Sequence, residues 1–349
     1  MFLRNAWYPA AWEREVGATP YAATILAEQV AIFRRPNGSY AALADACVHR
    51  KLPLSMGTVR GDTLECGYHG MTYDCAGTCV AAPTNGSVPP GAAVRSYPVH
   101  ARYGLIWIWM GQLEVADPAD IFHVEHWDDP AWGTTVGDDM TIACNYLFIT
   151  DNLLDPSHVA WVHISSFAGK GSDDTPMQTT IREDGTAQDG VTTWRWIFNE
   201  EAAPFYAPYL QFDGFCDRKQ QYEVRYPSLA LIKAYFSPAG TGGEDQPLHP
   251  QTFIMDSYNF LTPVDERTTR YFWFQQRNVA PNDEDVSRRF AASVRSAFEE
   301  DKRILAAVQR GMDNVEPGTT RLNLRSDTGG VRFRRRLAQM ITAEQPPHG

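Results

Sequence analysis

Four residues constrain this chain more than any others. Cys47 and His49 stand one residue apart, Cys66 and His69 stand two apart, and sixteen residues separate the pairs. Soft thiolates and imidazoles paired in this way are metal ligands, because two separate loops must be shaped to bring them together. Two cysteines on one iron and two histidines on the other form the ligand set of a [2Fe–2S] cluster whose imidazoles raise its reduction potential. Tetrahedral zinc is the rival. Zinc sites leave roughly two to four residues between paired ligands, whereas Val48 alone separates Cys47 from His49. Ordinary core cysteines and packed histidines fit this order and the flanking glycines poorly.

The chain has 349 residues, enough for two domains, and 44% hydrophobic residues can fill real cores. A net charge of −11 argues against nucleic acid and anionic membranes as partners, since phosphate neutralisation needs surplus Lys and Arg. The opening MFLRNAWYPAAWERE lacks the apolar core of a signal peptide, and the longest apolar run, Gly104–Met110, is too short to span a bilayer. A cytoplasmic protein is therefore expected. In a reducing compartment the remaining cysteines, Cys75, Cys79, Cys144 and Cys216, read as free thiols.

Residues 1–115 read as short strands and turns. Val30–Arg35 and Tyr40–Leu43 flank Pro36-Asn37-Gly38, a hairpin signal, and Gly104–Trp109 alternates as a further strand. From 116 to 140 Asp and Pro become dense, which suits a linker. His123 and His126 fall there without a third ligand. Residues 141–349 carry β-like segments at Val191–Phe198, Gln221–Tyr226, Leu229–Phe236, Gln251–Phe260 and Thr269–Arg277, then a helix over Asp283–Gln309. The fold class is α+β: an antiparallel β domain holding the cluster, then an antiparallel sheet with helices on one side. The Gly-, Ser-, Asp- and Thr-rich stretch between Trp161 and Val191 is expected to be a loop over the active site.

DNLLDPSHVAWVH carries a second constellation, with His158 and His163 five residues apart. Non-haem iron that activates O2 is held by two histidines and a carboxylate on one face, leaving the other face open. Standing alone, this pair reads as satisfied core histidines. An upstream redox cluster, however, needs somewhere to deliver electrons. On the predicted helix, Phe290, Val294, Phe298, Leu305 and Val308 form a stripe at three–four spacing. Asp301 falls on that stripe, while Glu299 and Glu300 fall off it and read as solvated charges. A buried Asp is costly unless paired or metal-bound, so Asp301 is the expected third ligand; an ion pair to Arg303 or Arg310 is the alternative. Asp155, three before His158, can accept that ring's other N–H and bridge to a cluster histidine, or it can cap the turn at Pro156.

Together these residues resemble the oxygenase component of Rieske non-haem iron oxygenases over essentially the whole chain. The likeness is to the short members, the group of vanillate O-demethylase, dicamba O-demethylase and toluenesulfonate methyl-monooxygenase. It rests on RNAWY, GLIWIWMG, DNLLDPSHVAWVH and AFEEDK. The resemblance implies a Rieske [2Fe–2S] domain, a helix-grip catalytic domain with mononuclear Fe(II), O2 as co-substrate, and a homotrimer in which one subunit's cluster serves the next subunit's iron. It gives Cys47, His49, Cys66 and His69 to the cluster and His158, His163 and Asp301 to the iron. Asp155 becomes the bridge and Asn152 stands close to the metal. Val48, Gly67 and Met71 depart from the family's usual residues, which changes loop stiffness but not the ligand set. Asn259 stands where the dicamba enzyme has a substrate-binding His, which speaks against dicamba itself.

The expected reaction is insertion of one O atom into a methyl or methoxy C–H of an aromatic acid, within an aromatic-rich pocket. A separate ferredoxin or flavin reductase would supply electrons, with the basic run Arg332–Arg336 a candidate docking face. Ring hydroxylation, N-demethylation and a Rieske electron carrier without oxygenase activity stay open at this stage.

Overall fold

Asn37-Gly38 does what such a pair does between alternating apolar runs: Gly38 takes a positive φ of 87° and the chain reverses. It joins two of the eleven strands of the first unit. These are β1 (Trp7–Trp12), β2 (Tyr21–Ile25), β3 (Glu28–Arg34), β4 (Tyr40–Ala44), β5 (Thr58–Arg60), β6 (Thr63–Glu65), β7 (Thr72–Tyr73), β8 (Cys79–Ala81), β9 (Ser96–Tyr97), β10 (Val99–Arg102) and β11 (Leu105–Trp109). They pair as β1-β11-β10, β2-β3-β4-β9 and β5-β6-β7-β8. The computed structural model describes residues 2–164, 167–168, 175–183, 189–316, 318–319 and 322–345.

The chain divides into two units. The first holds Met1–Ile121, Thr262–Glu266 and the chain end from Ala343; the second holds Phe122–Leu261 and Arg267–Thr342. In the first unit Phe33, Leu43, Leu54, Leu64 and Tyr73 pack with Cys47 and Cys66 in one core. The cysteines are therefore anchored on their apolar side.

The rest of the chain adds β12 (Gly133–Thr134), β13 (Asp138–Ile142), β14 (Gln178–Arg182), β15 (Gly190–Glu200), β16 (Cys216–Arg225), β17 (Leu229–Pro238), β18 (Phe253–Asp265) and β19 (Thr268–Arg277). They form one sheet in the order β12-β19-β18-β17-β16-β15-β14, with β13 also on β19. The ladders β13–β19, β14–β15, β15–β16, β16–β17 and β17–β18 are antiparallel. Each of the five strands expected from composition is present. β14 lies in the stretch expected to be a loop, and residues 165–166, 169–174 and 184–188 of that stretch lie outside the described residues.

The helices are α1 (Tyr146–Leu154), α2 (Val159–Val162), α3 (Glu284–Asp313) and α4 (Thr328–Ala343). Asp283 caps α3 by accepting from Val286 N at 2.9 Å. The buried face of α3 is Val286, Phe290, Val294, Ala297, Phe298, Asp301, Leu305 and Gln309. Val308, assigned to that stripe by spacing, is 41% exposed; over this length a 3.6-residue period carries the stripe on to Gln309. Among the described residues no helix is long and apolar enough to cross a membrane.

Candidate active site

The first ligand loops share one backbone design. Cys47 N donates to Leu52 O at 2.9 Å and Lys51 N to Cys47 O at 2.9 Å; Cys66 N donates to Met71 O at 2.8 Å and Gly70 N to Cys66 O at 3.1 Å. Lys51 and Gly70, at equivalent places, both take positive φ, 60° and 71°. Each loop thus turns tightly around its cysteine carbonyl and presents its histidine beyond it. Cys47 and Cys66 are buried, and the His49 and His69 ring centroids lie 4.5 Å apart. Burial pushes the Cys66 thiol above its ordinary value, a penalty that a cluster iron removes by taking the thiolate. The Tyr73 hydroxyl lies 3.1 Å from Cys47 Sγ and accepts from Val48 N at 3.2 Å; toward a cysteine held as thiolate, the hydroxyl is the group that can donate. All six cysteines are free.

The second set is brought together from two parts of the chain. Asn145 caps α1 by accepting from Leu147 N at 3.0 Å. The helix ends at Leu154, and a short 3-10 turn at Pro156–His158 leads into α2. The Asp155 carboxylate accepts from Ser157 N at 3.0 Å and from the Ser157 hydroxyl, so it caps this turn. His158 Nδ1 bonds the Asp155 main-chain oxygen at 2.6 Å, so in this chain it is the backbone rather than the carboxylate that receives the ring N–H.

His163 Nδ1 meets Glu300 Oε2 at 2.8 Å. Carbonyl and carboxylate oxygens only accept, so both imidazoles carry their proton on Nδ1. Their Nε2 atoms then face Asp301 Oδ1, 3.8 Å from His158 and 3.2 Å from His163. Three ligand atoms lie within 4.8 Å of one another, tautomers matched to a cation, around a buried Asp: the donor set fits a divalent metal. Burial pulls the His158 imidazole below its ordinary value despite Asp301. His163 is buried too, but Asp301 and Glu300 together hold it above its own. Asn152 Nδ2 is 3.5 Å from Asp301 Oδ1, and its Oδ1 is buried without a hydrogen-bond partner among the described residues.

Glu300, read from its spacing as a solvated charge, is a partner of His163 instead. It sits at the edge of the buried stripe, and a four-atom side chain reaches inward from there. Arg334, inside the basic run 332–336, turns to Asp151 at 2.7 Å, and Arg336 Nε is buried. Arg332 and Arg335 of the run stay exposed. Asn259 is fully buried; it accepts from the Tyr271 hydroxyl at 2.9 Å and donates to Ser257 O at 2.9 Å. His126, Glu125 and Asp256 form a second cluster of ligand-type atoms, but Lys233 reaches both acids, at 3.0 and 3.4 Å.

A cavity opens against His158, His163 and Asp301. Its other walls are chiefly apolar and aromatic, with Phe167, Tyr206, Tyr222 and Phe298 among them. It also includes Arg218, which no motif reading singled out. The available signal was period two: on β16, Arg218 shares its strand face with Gln220, Tyr222 and Val224, all buried.

The Rieske [2Fe-2S] domain family matches residues 6–98. The vanillate O-demethylase oxygenase C-terminal domain family matches residues 142–343. A vanillate O-demethylase oxygenase subunit from a Pseudomonas species is 36% identical over 352 residues, covering 99% of this chain and 96% of that protein. A putative toluene-4-sulfonate monooxygenase iron-sulfur subunit from Comamonas testosteroni is 34% identical over 346 residues, covering 99% and 98%. The crystal structure of dicamba monooxygenase bound to 3,6-dichlorosalicylic acid superposes with a TM-score of 0.89 at 31% identity, covering 98% of each chain. The matches run through both units and both sets of ligand residues: the chain belongs to the Rieske non-haem iron monooxygenases, as an oxygenase component.

Proposed function

We propose that this oxygenase component inserts one atom of O2 into a methyl or methoxy C–H bond of an aromatic acid. The observation that carries the reading is the cavity in which two imidazoles and a carboxylate converge on an otherwise apolar, aromatic-lined space. Cys47, His49, Cys66 and His69 are the proposed cluster ligands, and His158, His163 and Asp301 the proposed iron ligands, with Asn152 beside them. A cluster held there would supply electrons, and a ferrous iron held there would supply the site for O2.

The chain's own residues do the remaining work. Glu300 and the Asp155 carbonyl orient the two imidazoles so that both Nε2 atoms face the metal position. Phe167, Phe298 and their neighbours exclude water and grip the aromatic ring, leaving the substituent to meet the ligand cluster. Hydroxylation of a methoxy group gives a hemiacetal, which releases formaldehyde and leaves a phenol. A methyl group gives a benzylic alcohol. The second oxygen atom leaves as water, with two electrons drawn from NAD(P)H through a separate ferredoxin or flavin reductase.

Such a donor suits the cytoplasm. The proposed assembly is a homotrimer in which Asp155 joins His158 to a cluster histidine of the next subunit. Residues 1–115 would be the cluster domain, 116–140 a linker and 141–349 the catalytic domain. Relatives named for vanillate, toluene-4-sulfonate and dicamba act on aromatic acids, which supports that substrate class.

Purified protein should contain about three irons for every two acid-labile sulfides. With a reductase it should release formaldehyde from a methoxybenzoate, or hydroxylate a methyl-substituted aromatic acid with label from 18O2. Zinc without sulfide, or a third iron that added ferrous iron cannot restore, overturns the reading.

A further inference from the structure

Arg218 is the buried cation of this cavity, and none of the roles above uses it. It is 1% exposed and lines the same space as His158, His163 and Asp301. Its Nη2 donates to Phe167 O at 3.0 Å. Its Nε and Nη1 have no hydrogen-bond partner among the described residues. The guanidinium carbon lies 5.5 Å over the Tyr206 ring and 5.1 Å over the Phe236 ring, so the plane is occupied and the donor edge is what remains for a ligand.

Glu200 does not complete it. Its Oε1 stands 3.9 Å from Nη1, beyond hydrogen-bond reach, and both Glu200 oxygens lack partners among the described residues. A second guanidinium, Arg195, is 3% exposed and leaves Nη2 unpartnered as well. Burial raises the Glu200 carboxyl to about 7 against the pull of both arginines, so near neutral pH even this counter-charge is only partly present. Two buried cations therefore face one incomplete anion. A buried guanidinium with unmet donors is costly until an oxyanion arrives; a planar fork then accepts it through charge-assisted bonds.

We propose that Arg218 receives the anionic group of the substrate, a carboxylate or sulfonate on the aromatic ring, and so points the carbon to be oxidised at His158, His163 and Asp301. This rests on the oxygenase reading above and names its substrate class; Arg218 is a specificity-determining residue, not a metal ligand.

The test is equilibrium binding to the holoprotein, followed by calorimetry. 4-Methoxybenzoate is compared with 4-methoxybenzamide, and toluene-4-sulfonate with toluene-4-sulfonamide, so that charge changes while shape is kept. The wild-type protein should prefer the anion by about a hundredfold in at least one pair, which also assigns the anion. Arg218→Met should remove that preference while changing amide binding less than about threefold, with the cluster spectrum retained. Arg218→Lys should lose about tenfold for the anion, because a point charge cannot replace the fork. Glu200→Gln should tighten anion binding several-fold by removing a competing carboxylate. Equal wild-type affinity within both pairs overturns the inference without need of any variant, and so does a preference that survives Arg218→Met. Anions that bind through Arg218 but are never oxidised leave Arg218 as the anion receptor and sink the proposed function. Acids and amides oxidised equally well do the reverse.

Discussion

The two proposed ligand sets are built by opposite means. In the first unit each Cys–His pair sits in one loop, closed by hydrogen bonds from the cysteine's own backbone to residues four and five further on. In the second unit the histidines come from a broken helix and Asp301 from α3 much later in the chain. Their approach depends on α3 packing with the correct face inward. Buried charge separates the regions too. Asp45, buried in the first unit, is satisfied by Ser55 N at 2.7 Å and the Ser55 hydroxyl at 2.6 Å. The second unit buries Arg195, Glu200 and Arg218 with polar atoms left unmatched among the described residues. The difference teaches that the cluster loops are locally complete, whereas the catalytic interior holds groups whose partners must be supplied by metal or substrate.

The largest effect should separate the two sets outright. Asp301→Ala is expected to abolish mononuclear iron and bring turnover to background while leaving the cluster's visible spectrum unchanged. Iron and sulfide analysis of the purified variant checks this, and a lost spectrum would show that the two sites are not independently built.

Next comes stability against pH. The Glu200 carboxyl is raised to about 7 from its ordinary 4.5 by burial, so the folded protein holds a proton that the unfolded chain releases earlier. Its stabilising contribution is complete below pH 4.5 and is lost as pH rises through about 7. Glu200→Gln cannot ionise, so across this window wild-type stability should fall relative to the variant, by up to about 3 kcal/mol. Urea midpoints at matched pH values measure the difference, and parallel curves would contradict it.

Glu300→Gln tests the orientation of His163. The amide can still contact Nδ1, but it no longer opposes the imidazole's charge, and iron affinity should fall about 10- to 100-fold. Competition with a chelator reads this directly, and unchanged affinity would return Glu300 to an ordinary helix-edge charge. The smallest effect belongs to the local site. Tyr73→Phe removes the hydroxyl from Cys47 Sγ, and one hydrogen bond of about 1 kcal/mol corresponds to a drop of some tens of millivolts in cluster potential. Redox titration checks it, and no shift would mean that the hydroxyl does not donate to the sulfur.

Legibility in the sequence follows the same division. The Cys47–His49 and Cys66–His69 pairs were readable because their spacing is set by loop geometry within a few residues. The strands of the second unit were readable because alternation reports a strand's two faces directly. Asp301 was readable because a helical period marks it as an acid on an apolar stripe. Glu300, one residue on the N-terminal side, was misjudged by the same period, because spacing locates a Cα while a long side chain chooses its own direction. Asp155 was expected to offer its carboxylate to His158, and the turn instead brings its backbone oxygen there.

By itself the sequence determined the α+β class and the buried stripe that carries Asp301, and it singled out both proposed ligand sets, since each follows from periodicity or from contacts close along the chain. Only the tertiary structure decided that Arg218 and Glu200 meet at 3.9 Å without bonding. It alone turned Arg334 inward to Asp151 and assigned Thr262–Glu266 to the first unit. These outcomes depend on which surfaces packing brings together, and local spacing carries no information about a partner far along the chain.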